Sequence, residues 1–184
     1  MTTNLAATLL AALAAASAGA PATAPSDEEV KGQVEAYLGS IDTPIPAERF
    51  RALGPRAATV LAAVSRSPAE FPTRRARAVA ALAAVGGGEA TAVARELALA
   101  EGPFVVRAAA VESLGRLLSP AELAAAVGPL MRGAREARLR AVAAETLARG
   151  AGGDCAAVRS QVAAEAEAER GKFHRALSAC SGAR

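Results

Sequence analysis

Three stretches of this chain decide its fold: Arg75-Ala-Arg-Ala-Val79-Ala-Ala-Leu82, Arg107-Ala-Ala-Ala-Val111-Glu-Ser-Leu114 and Arg140-Ala-Val-Ala-Ala144-Glu-Thr-Leu147. Their leading arginines are separated by 32 and then 33 residues. Self-similarity at a period of a few tens of residues is the mark of stacked supersecondary units, none of which can bury its apolar face alone. Within each copy a small or branched apolar residue follows the arginine by four positions and a leucine follows it by seven, which places the apolar pair on one helical stripe. A second helix fits between successive copies, built around Val93 and Leu97, Val127 and Met131, and Val158 and Val162, each pair four residues apart on one face. Two helices per period make an αα-hairpin.

The words Val106-Arg107-Ala-Ala-Ala-Val111-Glu-Ser-Leu114-Gly115 and Ala126-Val127-Gly-Pro129-Leu130-Met131 resemble the HEAT-repeat family, particularly the short bacterial repeats related to those of phycobiliprotein lyases. The resemblance covers roughly residues 73–180, with a degenerate extension back to about 46. It departs from the family where an Asp-Pro turn commonly precedes the Val-Arg word: Glu101-Gly102-Pro103 approximates that turn, and Gly133 to Glu136 does not. The resemblance implies an all-α, short α-solenoid of three to four antiparallel hairpins whose second helices line a concave surface. Arg95, Arg132 and Arg159 lie on those second helices and are the candidates for contacting a partner. It also implies two other roles, a cytoplasmic HEAT adaptor or a lyase-like, chromophore-handling accessory protein.

Composition points to the same fold class. Hydrophobic residues make up 52% of the 184 and aromatic residues 3%, so the core has to be built from Ala, Val and Leu on closely approaching helices. No alternating β-branched run of strand length stands between turn signals.

The first residues are of another kind. Leu5 to Ala20 carries no charge, and the small residues Ala16-Ser17-Ala18 follow a moderately apolar run, which is the layout of a secretory signal peptide cleaved after Ala18. Met1 to Asn4 lacks the usual Lys or Arg, and the apolar run falls short of the roughly 20 residues that a spanning helix needs. The expected organisation is a signal peptide over 1–18, a linker over 19–26, N-terminal capping helices with a degenerate repeat over 27–72, and HEAT-like repeats with a C-terminal capping helix over 73–184. A periplasmic or secreted location follows, with no stable membrane span once the signal is removed.

Local signals set the helix boundaries. Ser26-Asp27-Glu28-Glu29 is a capping box, predicting a helix over 27–39 with Val30, Val34, Tyr37 and Leu38 facing inward. Ala47–Leu53 and Pro55–Arg66 read as two short helices broken at Gly54-Pro55. Ser67-Pro68-Ala69-Glu70 opens a turn that Pro72 aborts, leaving Thr73 to cap the first clear repeat. Ser119-Pro120-Ala121-Glu122 combines an N-cap Ser, Pro at the first helical position and Glu at the third. Glycines at 86–88, 102, 133 and 150–153 mark the remaining joints.

Catalytic, cofactor-binding and metal-binding residues are not expected. Gly86-Gly87-Gly88 has neither the preceding strand nor the Lys of a phosphate-cradling loop. Asp154, Cys155, His174 and Cys180 are zinc-type donors, but the closely spaced ligand pairs of a zinc site are missing. The two cysteines instead suggest a disulfide in an oxidising compartment. If the chain turns near Arg170-Gly171, with helices over about 154–169 and 172–180, Cys155 meets Cys180 and the bond contributes on the order of 3 kcal/mol. In the competing arrangement one unbroken helix holds the sulfurs roughly 37 Å apart. Gly171, a poor helix-interior residue, favours the hairpin.

The net charge is +3, and residues 43–149 hold 15 basic and 9 acidic side chains. That excess is spread thinly and not interleaved with aromatics, so nucleic acid is not an expected partner. Arg75, Arg107 and Arg140 are expected to be structural, each bonding the turn of a neighbouring repeat. The sequence therefore leads to an exported, non-enzymatic module that binds an unidentified protein partner.

Overall fold

A computed structural model describes residues 25–40, 43, 45–150 and 153–182. The expected signal peptide over 1–18 and most of the expected linker lie outside them. Among the described residues all the regular structure is helical, without strands. The helices are α1 (Asp27–Gly39), α2 (Ala47–Ala52), α3 (Pro55–Arg66), α4 (Pro72–Val85), α5 (Gly87–Leu99), α6 (Phe104–Leu117), α7 (Pro120–Gly133), α8 (Ala137–Arg149), α9 (Cys155–Ala164), α10 (Glu167–Arg170) and α11 (His174–Gly182). A 3-10 turn, Gly171–Phe173, joins α10 to α11.

The strongest local signals act as read. Ser26 accepts the Glu29 amide at 3.3 Å while the Glu29 carboxylate takes the Ser26 amide, closing the capping box at α1. Ser119 and Glu122 close the equivalent box at α7. Val30, Val34 and Leu38 are buried, whereas Tyr37 is half-buried and stands edge-on to Phe50 with ring centroids 5.4 Å apart. Gly54 separates α2 from α3, and Pro55 takes the first position of α3, where its missing N–H is no loss. Gly86 and Gly87 reverse the chain between α4 and α5 at φ of 85° and 88°, a region that a side chain would disfavour.

Two boundaries differ from expectation. Helix α4 starts at Pro72 with Phe71 in the cap position, not at Thr73, because proline's fixed φ already suits a first helical turn. The turn between the last helices falls at Glu165 and Ala166 instead of Gly171. Both residues are extended, with ψ of 148° and 143°, and Gly171 lies inside the helical return with φ −58°.

The central helices touch in sequence: α4 packs against α3 and α6, α6 against α5 and α8, and α8 against α7 and α11. At one end α1 and α2 lie on α4, and α1 also meets α3. Leu61, Val79, Leu82, Val93, Leu114, Val127, Met131, Leu139, Val158 and Phe173 all belong to one continuous buried cluster. Alanines such as Ala78, Ala110 and Ala143 are fully buried between them, and their small side chains let the helix axes approach closely. At Gly115 in α6 a Cβ would stand 2.7 Å from Thr146 Cγ2 of α8, so the glycine lets these two helices meet.

Candidate protein-binding surface

The arginine that opens each repeat word is tied to the framework. Arg75 Nε donates to the Ser65 carbonyl of α3 at 3.0 Å. Arg140 Nη1 donates to the Ala134 carbonyl just beyond α7 at 2.8 Å. Carbonyls at helix C-termini have no partner within their own helix, and these guanidinium groups supply one. Arg107 differs: its guanidinium stands 3.6 Å from Glu136 in the turn before α8, and its Nε is buried without a hydrogen-bond partner among the described residues.

Arg140 does more than cap. Its Nε and Nη2 grip the Glu165 carboxylate at 2.7 and 2.5 Å, with Gln161 donating at 2.8 Å. The Glu165 side chain is only 4% exposed. The hydrogen bonds from Arg140 hold its carboxyl below the ordinary range, against the opposing effect of burial. This pair fixes the chain break between α9 and α10. A second fork, Arg66 to Glu96 at 2.9 and 2.8 Å, ties α3 to α5 on the surface.

Cys155, at the start of α9, is bonded to Cys180 in α11, with 5.5 Å between their Cα atoms. The unbroken-helix arrangement is thereby excluded. Asp154 caps α9 by accepting the Ala157 amide at 3.0 Å, and the exposed His174 ring contacts the Gly171 carbonyl through Nδ1 at 3.1 Å. Both sulfurs are thus committed to each other, and α11 is held against α8.

Arg95 on α5, Arg132 on α7 and Arg159 on α9 are all exposed. Hydrogen bonds from the Ser119 hydroxyl and amide keep the Glu122 carboxyl low, and the Arg95 charge adds to them. The described cavities lie elsewhere. One of about 380 Å³ sits between α6, α8 and α11, with Arg116, Arg149, Arg175, Glu112 and Glu145 on its walls. Another of about 410 Å³ runs between α1, α2, α4 and α6, and Arg116 lines it too. Sequence reading did not find these charged positions. A signal was present: Glu112 and Glu145, like Arg116 and Arg149, stand 33 residues apart, the period of the repeat words.

Comparison with protein-family models, with curated proteins and with solved structures finds no match for this chain. Among the described residues no helix is long and apolar enough to cross a membrane.

Proposed function

We propose that this chain is an exported, non-enzymatic protein-binding module, built as a short HEAT-like α-solenoid of three to four hairpins. The observation that carries the reading is the ordered run of contacts α4 to α6 to α8 to α11, each central helix also touching the helix that precedes it. Such a stack presents side chains at regular intervals on a rigid surface, and affinity then comes from shape and distributed polar contacts. The exposed arginines at 95, 132 and 159, one per successive second helix, suit that role. The Cys155–Cys180 disulfide is compatible with an oxidising compartment and so supports export, to the periplasm or beyond.

The test is fractionation of the native organism followed by intact-mass measurement and affinity capture. A periplasmic or secreted chain that lacks the first 18 residues and is oxidised at both cysteines is the expected result. Capture should recover a protein partner, and joint reversal of Arg95, Arg132 and Arg159 to Glu should release it while helicity is kept. A full-length, reduced chain in the cytoplasm would overturn the assignment to an exported module.

A further inference from the structure

The two cavities share one wall residue, Arg116 of α6, with α2 bordering the first and α11 the second. Their linings differ in chemistry. Toward α2 the walls are mainly apolar, formed by Tyr37, Ile45, Phe50, Ala80 and Ala84. Toward α11 they are charged, with three guanidinium groups contributed by three different helices: Arg116 from α6, Arg149 from α8 and Arg175 from α11.

The charges at that end do not cancel. Arg149 is paired with Glu145 at 2.8 Å, while Arg116 and Arg175 form no ion pair among the described residues. Glu112 is the other acid on the wall, so the lining keeps one net positive charge, and Arg77 at the apolar end adds another. Arg77 is already occupied, donating to the Ser40 carbonyl at 2.8 Å. The unpaired donors are therefore Arg116, which both cavities share, and Arg175, on the helix that the disulfide holds in place.

We propose that this groove receives an extended peptide segment of a partner protein, with apolar side chains over Ala80 and Ala84 and one or more carboxylates on Arg116 and Arg175. The inference rests on reading the chain as a protein-binding module and goes on to name the docking place and the partner chemistry. Charge complementarity selects the occupant: guanidinium groups pair with carboxylates in a two-pronged geometry, and an apolar trough beside them suits a segment in which hydrophobic and acidic residues adjoin. Protein interfaces draw most of their binding energy from a few anchor residues.

The experiment is a titration of the oxidised, isotope-labelled chain with an amidated peptide of alternating Leu and Ala followed by three Glu, observed through backbone amide and arginine Nε–H resonances. Shifts should concentrate in α4, α6, α8 and α11. Arg116→Glu and Arg175→Glu should each weaken binding about tenfold, as expected for reversal of a charge that contacts a carboxylate. Lys31→Glu, on α1 and outside the walls of both cavities, should leave it unchanged.

Equal binding of a peptide with Gln in place of Glu would overturn the proposal, as would no shifts at millimolar peptide. Preferential, Arg116-dependent binding of phosphatidylglycerol vesicles would overturn it in favour of a lipid surface. If a captured partner is released by the triple reversal and kept by the groove variants, the protein-binding reading stands and the groove falls.

Discussion

Removing the Cys155–Cys180 bond should loosen one end of the molecule by an amount that its loop length sets. The bond spans 25 residues. Constraining such a loop removes about 12 cal/mol/K from the unfolded chain, or about 3.5 kcal/mol at 25 °C. For a chain of this size that corresponds to a fall in Tm of roughly 7–14 °C. The loss should also be local. Phe173, fully buried, still anchors the return into α11, and Arg140 still holds Glu165, so the other helices keep their contacts. In α11 only Ala176 and Cys180 are buried, so once the covalent tie is gone little holds His174–Gly182 against α8. Amides there should exchange about 400-fold faster, the same 3.5 kcal/mol expressed as a ratio. The assay is thermal unfolding together with hydrogen exchange read by mass spectrometry, comparing the native chain with a Cys155→Ser/Cys180→Ser double variant. A Tm fall below about 3 °C, with α11 protection unchanged, would show that noncovalent packing alone secures the helix and would refute the reasoning.

Two other perturbations follow from buried charge and from close packing. Arg140→Leu leaves the Glu165 carboxylate with Gln161 as its side-chain hydrogen-bond donor and the more distant Lys172 charge, and breaking a buried pair of this kind costs about 3–5 kcal/mol in urea denaturation at neutral pH. Because the folded carboxyl titrates below its unfolded value, the pair's contribution is full above the ordinary carboxylate range and fades as pH falls through the lowered one. Wild type should therefore lose that increment on acidification below about pH 5, whereas Glu165→Gln should lack that part of the pH dependence; parallel profiles would count against the pair. Gly153→Ala should destabilise by about 1–3 kcal/mol, since its Cβ would meet the Ala148 carbonyl oxygen. Gly32→Ala, inside α1 with open space around it, should stabilise by about 0.5–1 kcal/mol, and calorimetry of the two variants should show opposite signs.

What could be read from the sequence was whatever a few neighbouring residues decide. The capping boxes at Ser26 and Ser119 and the break at Gly54-Pro55 depend on contacts three or four positions apart, so composition and spacing identify them. The turn at Glu165 was missed because its cause lies 25 residues away in Arg140; without that partner, Gly171 is the more plausible stop. Thr73 was misplaced for the opposite reason, since a favourable cap residue lost to a proline one position earlier. The disulfide could be foreseen only as one of two arrangements, because the choice turns on whether the chain folds back. The groove was harder still. Arg116, Arg149 and Arg175 belong to three helices, and only the packing of α11 onto α8 brings the last of them to the first two.

The alanine-rich interior has a consequence for how the protein tolerates change. Where Ala78, Ala110, Ala143 and Ala144 fill the spaces between helices, there is almost nothing to trim away, so hollowing lesions arise only at the larger core residues such as Leu139, Met131 and Phe173. Nearly every substitution at the small positions must instead wedge the helices apart. Damage at those positions would come from crowding, and α4, α6 and α8, which carry them and touch in turn, would feel it together.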